Sequence, residues 1–553
     1  MSQKTRIAIV EDNTSARIHL RSHLLSLGNL EISSYSTGNE LKAALRTQSV
    51  DMVLSDYHLG QHKNGVEWIK SLQKSGLLKP STGMLFITSD QTPQTIGHIV
   101  DLQPDYLIIK PYTIRSIKQI VSQYLTIRKT TLGALHAIDS GDYQAALKNV
   151  EGLLSKKQLS RIEIHLFKLK AKILLLLKRY DDAMALYQSV LTRSENVIWA
   201  RWGVIKCLFM RGDWQQCQTA ICDLLDLKLT QNKAYEWLAC IAFEERDFER
   251  AEGWLDNIKI SELTMQATRL KTLTYQMQER IDDAIALLER KRMSNLSVKE
   301  HRDELTFELA DFHIRHAVTA ADPERSDNLY KARCLIGNAG RHAGDRQSHQ
   351  RRDYMLSFAN ILEGHTERAK RLLDNDWMHD FSRSEVNTMV IAAQVWHGVG
   401  DEQRAQQILD LCATKREHLD DQVEHIMVET QLIAGEKAIG VAEDRALALN
   451  IEGTDAFVAG NNLSALEKFA EAYRLTDHIP AFALNLLQSM VRQKISNYRG
   501  IHTVKLLENL EGMELSQTNQ TRFDDIRKSI NQTLSSFQVE SFEPNADSTA
   551  VAT

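Results

Sequence analysis

Four short apolar runs in the first fifth of the chain each stop at a residue fit for metal or phosphate chemistry. Ile7 to Val10 runs into Glu11-Asp12-Asn13, and Met52 to Ser55 into Asp56. Met84 to Ile87 runs into Thr88, and Leu107 to Ile109 into Lys110-Pro111. Runs this short and apolar read as strands buried on both faces, the pattern of a parallel sheet covered by helices. In an open parallel α/β sheet the carboxyl ends of the strands border one crevice. Three carboxylates, a hydroxyl and an ammonium therefore converge there. Such a set can hold a divalent cation and carry a phosphoryl group.

The rest of the first 127 residues agrees. Strand-like runs at Arg6–Val10, Glu31–Tyr35, Met52–Asp56, Met84–Thr88 and Tyr106–Ile109 are separated by amphipathic stretches. Thr92-Pro93 reads as an N-cap followed by proline at the first helical position. The expectation for residues 5–127 is an α/β doubly wound, five-stranded parallel sheet.

Past residue 130 the strand signal stops. Only seven prolines occur in 553 residues, and four of them (Pro80, Pro93, Pro104, Pro111) lie before residue 112. A chain so poor in breakers is helix-rich. A fragment recurs as Gly141-Asp142-Tyr143-Gln144-Ala145-Ala146, Lys178-Arg179-Tyr180-Asp181-Asp182-Ala183 and Gly212-Asp213-Trp214-Gln215-Gln216-Cys217. It returns as Arg246-Asp247-Phe248-Glu249-Arg250-Ala251 and Glu279-Arg280-Ile281-Asp282-Asp283-Ala284. The closing small residues are spaced by about 34, the period of a helix–turn–helix repeat. Weaker copies end at Ala369, Ala405 and Ala465. The division expected is repeats over 130–290, a degenerate or irregular helical region over 291–350, further divergent repeats over 351–535, and a disordered tail over 540–553.

Composition limits the function classes. The net charge of −5 argues against a general nucleic-acid binder or a membrane-surface protein. The longest apolar run, Ile173 to Leu177, falls far short of a membrane span, and the few apolar residues after Arg6 are too few for a signal peptide. The six cysteines form no CxxC pair and mostly sit within apolar helical patterns, which reads as reduced buried thiols in a cytoplasmic protein. No nucleophile elbow, phosphate-cradling glycine loop or DNA-binding helix pair is present.

Five marks fall in order on the strand ends: Val10-Glu11-Asp12-Asn13, Leu54-Ser55-Asp56-Tyr57-His58-Leu59, Asn64-Gly65, Ile87-Thr88-Ser89 and Ile109-Lys110-Pro111-Tyr112. Through them residues 5–127 resemble the receiver domain of two-component response regulators. None is specific alone; together they are. The resemblance implies a flavodoxin-like fold. It implies Mg²⁺ held by Glu11, Asp12, Asp56 and the backbone carbonyl of His58, with no organic cofactor. Asp56 is then the phosphoacceptor, and Thr88 and Lys110 contact the phosphoryl group. No enzyme activity is expected beyond the domain's own phosphoryl transfer and dephosphorylation. One departure stands out. The family carries Tyr or Phe three residues before the lysine, but Leu107 is there and Tyr106 comes one residue earlier, pointing to a shifted or altered aromatic switch. His58 and Asp90 flank the site and read as solvated loop residues, with tuning of dephosphorylation as the alternative.

The repeats resemble tetratricopeptide repeats, without that family's usual proline at each unit's end. The resemblance implies an all-α helical-repeat solenoid whose groove binds a protein. Trp199, Trp202, Trp214, Trp237 and Trp254 read as packing between helix pairs more readily than as groove anchors. The expected function is that of a response regulator with a bacterial-type receiver, phosphorylated on Asp56 by a sensor histidine kinase or phosphotransfer protein. The repeats then bind an unidentified protein partner, with no nucleic acid and no membrane insertion. The alternatives are a phosphorylation-independent scaffold using the receiver as a docking module, and a transcriptional regulator.

Overall fold

Alternation within each strand sets the first fold. In the computed structural model, which describes residues 4–60, 63–296, 298–340, 346–416, 419 and 422–533, five strands form one parallel sheet in the order β2-β1-β3-β4-β5. They are β1 (Thr5–Val10), β2 (Leu30–Tyr35), β3 (Met52–Asp56), β4 (Gly83–Thr88) and β5 (Tyr106–Ile109). Ile7, Ile9, Met52, Leu54, Leu85 and Ile87 face one way. They meet Leu20 and Leu24 of α1 (Thr14–Leu25), and Ile117 and Val121 near the start of the last receiver helix. Ala8, Val10, Val53 and Phe86 face the other way. They are covered by α2 (Gly38–Leu45), α3 (Gly65–Lys74) and α4 (Pro93–Asp101). Period-two alternation with both faces buried is the doubly wound architecture expected.

The last receiver helix, α5 (Ile114–Asp139), runs 26 residues. The expected boundary between residues 127 and 130 falls in its middle. Ile117, Val121 and Tyr124 pack on the sheet, while Ala134 and Ile138 belong to the core of the first helix pair. Arg128 donates to Asp51 Oδ1 at 2.9 Å and to the Ser81 carbonyl at 2.7 Å, and Asp139 accepts from the Ser81 hydroxyl at 2.6 Å.

The repeated fragment is turn chemistry. Gly141, Lys178, Gly212, Arg246 and Glu279 all take positive φ, the left-handed residue that ends a helix. The following N–H then reaches back five residues, as Asp142 does to the Ala137 carbonyl and Asp247 to the Ala242 carbonyl. Asp142 and Asp247 next cap the new helix, accepting the N–H of Ala145 and Arg250. The small residue closing each fragment is fully buried: Ala146, Ala183, Cys217, Ala251, Ala284, Ala369, Ala405 and Ala465 are all 0% exposed. A larger side chain there would hold the paired helices apart.

Residues 291–350 lose the period because their helices are longer. Lys299–Thr319 and Glu324–Gly340 have 21 and 17 residues and pack on each other, joined by a turn with no left-handed residue. Among the cysteines, Cys207, Cys217, Cys240 and Cys412 are buried as expected, whereas Cys222 and Cys334 are exposed; none is in a disulfide. The tryptophans pack between helices: Trp202 lies 5.6 Å from Trp237, and Trp199 lies against Tyr187. No helix among the described residues is long and apolar enough to cross a membrane.

By compactness the chain divides after Ile439, with Gly212–Trp214 grouping with the later residues. The later unit packs the helices Asn462–Leu475, Pro480–Arg492, Thr503–Glu511 and Gln517–Thr533 around Phe469, Leu487, Met490 and Phe523. It also holds a short antiparallel hairpin that the helical pattern did not foresee. Asn497–Tyr498 pairs with Ile501–His502 through Arg499 and Gly500, both at positive φ, as a tight hairpin turn requires. The expected tail over 540–553 lies outside the described residues.

Within the first unit the receiver is met by the first helices of successive pairs. Lys172 donates to the Pro80 carbonyl at 3.0 Å, and Lys233 pairs with Asp101 at 3.0 Å. Lys63 pairs with Glu304 at 2.9 Å, and Glu67 lies 3.0 Å from His301. Gly97 of α4 lies so close to the Leu229 carbonyl that a Cβ there would sit 2.4 Å from its oxygen. The helix Gln422–Ala438 also packs against Gln231–Glu244 and Met265–Met277. The repeats' receiver-facing surface is therefore occupied from within the chain.

A continuous α5 makes a direct prediction. Hydrogen exchange of the full chain should show amides from Val121 to Leu135 protected as one block. A fast-exchanging gap at residues 127–130 would place a joint there instead.

Candidate functional site

Each site residue sits where a strand ends. Glu11 follows β1, Asp56 closes β3, Thr88 closes β4, and Lys110 follows β5 with its N–H on the Thr88 carbonyl at 2.7 Å. Asn13 caps α1 by accepting the Ala16 N–H, which fixes the turn carrying Glu11 and Asp12. Carboxylate oxygens of Glu11, Asp12 and Asp56 come within 4.8 Å of one another. Lys110 Nζ donates to Asp56 Oδ2 at 2.6 Å and to Glu11 Oε2 at 3.0 Å.

The electrostatics follow from crowding. Glu11 is 3% and Asp56 8% exposed, while Asp12 is exposed. Burial, and then the charge of Asp56, raises the Glu11 carboxyl above its ordinary value. Burial opposes the Lys110 ammonium, but hydrogen bonds to Asp56 and Glu11 outweigh it and hold the lysine above its usual range. Asp90 is driven down to about 2, first by the Thr92 N–H it accepts and then by the Thr95 hydroxyl. Those two bonds, at 2.8 and 2.7 Å, tie Asp90 to the start of α4.

The structure thus gathers Glu11, Asp12, Asp56 and Lys110. Thr88 is fully buried, and its hydroxyl accepts the Asp90 N–H at 3.0 Å. His58 reaches Asp56 through its own N–H, 3.3 Å from Oδ1, and its ring lies 3.4 Å from Asp90. The aromatic departure becomes intelligible in the sheet. Leu107 pairs with Phe86 and packs on the α4 side. Tyr106, one residue earlier, packs on the α5 side, with its ring centroid 5.8 Å from that of His165 in the repeat helix Glu163–Leu176. A shift of one residue in a strand puts the ring on the opposite face.

The sequence marked Asn64-Gly65 but not the capping box or the long-range anchors of the loop after Asp56. Asn64 caps α3 in a reciprocal box with Glu67. Gly65 runs so close beneath the site that a Cβ would lie 2.3 Å from the Asp56 carbonyl oxygen. Lys63 and Glu67 also reach into the repeats. The Asn64-Gly65 pair was a usable signal for the cap, whereas the pairing of Lys63 across 241 positions had none.

Residues 7–122 match the family model of the response regulator receiver domain. The probable chemotaxis protein CheY of Rhizobium etli is 21% identical over 121 residues, spanning 22% of this chain and 92% of that protein. Among solved structures, the Vibrio cholerae chemotaxis protein CheY4 is 18% identical and covers 22% of this chain and 98% of its own, with a TM-score of 0.20. The TPR domain of P58(IPK) is 12% identical over 68% of this chain and 99% of its own, with a TM-score of 0.17. Residues 7–122 are a response regulator receiver domain, a module of two-component signalling, and they are followed by a helical region built of packed pairs.

The donor set fits the Mg²⁺ that receivers take: hard oxygen ligands, with a like-charge excess at Glu11, Asp12 and Asp56 that a divalent cation relieves. A carboxyl whose native value is raised binds more protons folded than unfolded. Its contribution to stability is therefore full at low pH and lost as pH rises through the native value. Glu11→Gln removes that loss. In EDTA at pH 7.5 the variant should melt above the parent, with the gap closing as pH falls toward 4.5. An equal or lower melting point at pH 7.5 would refute the raised Glu11.

Proposed function

We propose that this chain is a cytoplasmic, bacterial-type response regulator that accepts a phosphoryl group on Asp56 from a histidine kinase or phosphotransfer protein. The repeats then present the output to a protein partner. The observation carrying this reading is Lys110 bonded at once to Asp56 and Glu11 beside a three-carboxylate cluster. An Asp56 carboxylate oxygen attacks phosphorus, forming the P–O bond as the P–N bond to the donor imidazole breaks, with the electron pair left on nitrogen. Glu11, Asp12, Asp56 and the His58 carbonyl would hold Mg²⁺, which when bound would neutralise charge on the incoming phosphoryl oxygens. Lys110 holds one of those oxygens as a point charge. The chain's chemistry ends with its own phosphorylation and dephosphorylation.

Two routes lead from the phosphoryl group into the repeats. Thr88 can turn its hydroxyl proton from the Asp90 carbonyl, 3.5 Å away, to a phosphoryl oxygen, and Asp90 holds the start of α4 through Thr92 and Thr95. That helix carries Gly97 against Leu229 and Asp101 against Lys233. The second route is the loop after Asp56. Its Lys63 pairs with Glu304, Arg269 bridges Glu304 and Glu308 at 3.1 and 2.7 Å, and Arg351 meets Glu308 at 2.8 Å. Against burial, Lys63 and Arg269 hold Glu304 well below the usual carboxylate range. In this reading phosphorylation biases the contact and the output is regulated; a passive docking module would leave the contact unchanged.

With Mg²⁺ and acetyl phosphate the full chain should gain one alkali- and hydroxylamine-labile phosphoryl group, lost in Asp56→Asn and in EDTA. Undiminished labelling of Asp56→Asn would assign the nucleophile elsewhere. Lys63→Met should weaken the receiver–repeat contact by about 1.5–3 kcal/mol, the worth of a charged hydrogen bond. Amides of residues 63–68 and 299–312 should then exchange faster without any phosphoryl group. Unaltered exchange would remove Lys63 from the relay.

A further inference from the structure

A cleft of about 260 Å³ lies between α2 and the repeats, away from the carboxylate cluster. The receiver contributes Lys42 and Arg46; the repeats contribute Arg346, Asp380 and Arg383, with Trp377. Four cations therefore share the walls with one carboxylate. That carboxylate is already engaged. Asp380 Oδ1 accepts the Ser382 N–H at 3.1 Å and its hydroxyl at 2.6 Å, and Arg346 lies 4.0 Å from Oδ2. Arg46 meets no carboxylate among the described residues, Arg383 shares Asp380 with Arg346, and both Arg46 and Arg383 are exposed. Elsewhere along the same receiver–repeat contact Lys63, Lys74 and Lys233 each meet a carboxylate of their own within 3.0 Å, whereas here Arg346 and Arg383 share one.

Four cations around one carboxylate in a concavity focus a positive potential, and guanidinium geometry suits phosphate oxygens better than a point charge does. The volume is just under the roughly 300–1,000 Å³ of sites that enclose whole drug-sized ligands. It suits a pair of phosphates rather than an enclosed nucleotide. We infer that this cleft binds a diphosphate group, as inorganic pyrophosphate or as the diphosphate of a nucleotide, and that the anion ties α2 of the receiver to the repeats. Arg46 grips from the receiver side and Arg383 from the repeat side. Occupancy then holds the receiver in place and gives the regulator a small-molecule input separate from phosphorylation.

The test is calorimetric titration of the full chain with pyrophosphate in EDTA, so that no metal recruits the anion to Asp56. One site is expected. Arg46→Ala and Arg383→Ala should each weaken it at least about tenfold, the loss of one bidentate contact. Asp56→Asn should leave it unchanged. Both arginines are exposed, and melting curves matching the parent check that the variants fold. ADP in place of pyrophosphate separates the sources: equal affinity means that only the diphosphate is read, and tighter binding means that the nucleoside adds contacts. Absence of heat at millimolar pyrophosphate, or undiminished affinity in the double variant, overturns the site and leaves the Asp56 chemistry untouched.

Discussion

One helix belongs to two cores, and the arrangement of the first unit follows from that. Over its 26 residues, about 39 Å at 1.5 Å per residue, α5 lays Ile117, Val121 and Tyr124 on the sheet and Ala134 and Ile138 into the first helix pair. A rigid rod shared in this way leaves no linker to swing on. The orientation of the first pair relative to the sheet is set by helix geometry, and each later pair is set by the one before it. The repeats therefore return to the receiver at fixed places: His165 at Tyr106, Leu229 at Gly97 and Glu304 at Lys63. The arginine at position 128 reinforces the rod where a domain boundary would otherwise fall, by holding Asp51 and the Ser81 carbonyl.

The opposite constraint operates at the strand ends. Glu11, Asp12 and Asp56 are drawn together by the sheet, not by mutual attraction. Lys110 is the one cation bonded to both buried carboxylates of this trio among the described residues. It leaves Glu11 with a raised carboxyl. The site is a store of repulsion, and like-charge crowding of this kind makes a pocket responsive to an arriving cation or phosphoryl group.

The strand ends were legible because their signal is local: an apolar run, then a carboxylate, hydroxyl or ammonium. The turns between helix pairs were legible for a similar reason. A left-handed residue followed by a cap is written in consecutive positions, as in Gly141-Asp142 and Arg246-Asp247. Long-range pairing is not written that way. Nothing around Lys63 announces Glu304, and nothing around Gly97 announces Leu229. A groove open to partners was the natural expectation for stacked helix pairs. At the receiver-facing surface the receiver and the helix Gln422–Ala438 pack against those helices. The displaced aromatic was legible as a displacement. Its meaning needed the register that sets Tyr106 opposite Leu85 and Leu107 opposite Phe86.

The same contacts set what a signal must accomplish. Moving a two-state equilibrium from 1:99 to 99:1 takes about 5.5 kcal/mol of differential stabilisation. The Lys63–Glu304 pair contributes about 1.5–3 kcal/mol as a charged hydrogen bond, so losing it alone does not complete the change. The α4 contact has to shift with it. The close approach of Gly97 to the Leu229 carbonyl is steric, so a small displacement of α4 breaks fit abruptly and carries Asp101 away from Lys233. Asp90 is placed to cause that displacement, since it is bonded to Thr88 at one end and to Thr92 and Thr95 at the other. In the proposed reading one phosphoryl group therefore acts on both contacts: through Thr88 on α4, and through the loop after Asp56 on Lys63. The Lys63 pair falls short of the required energy alone, so release needs the α4 contact as well.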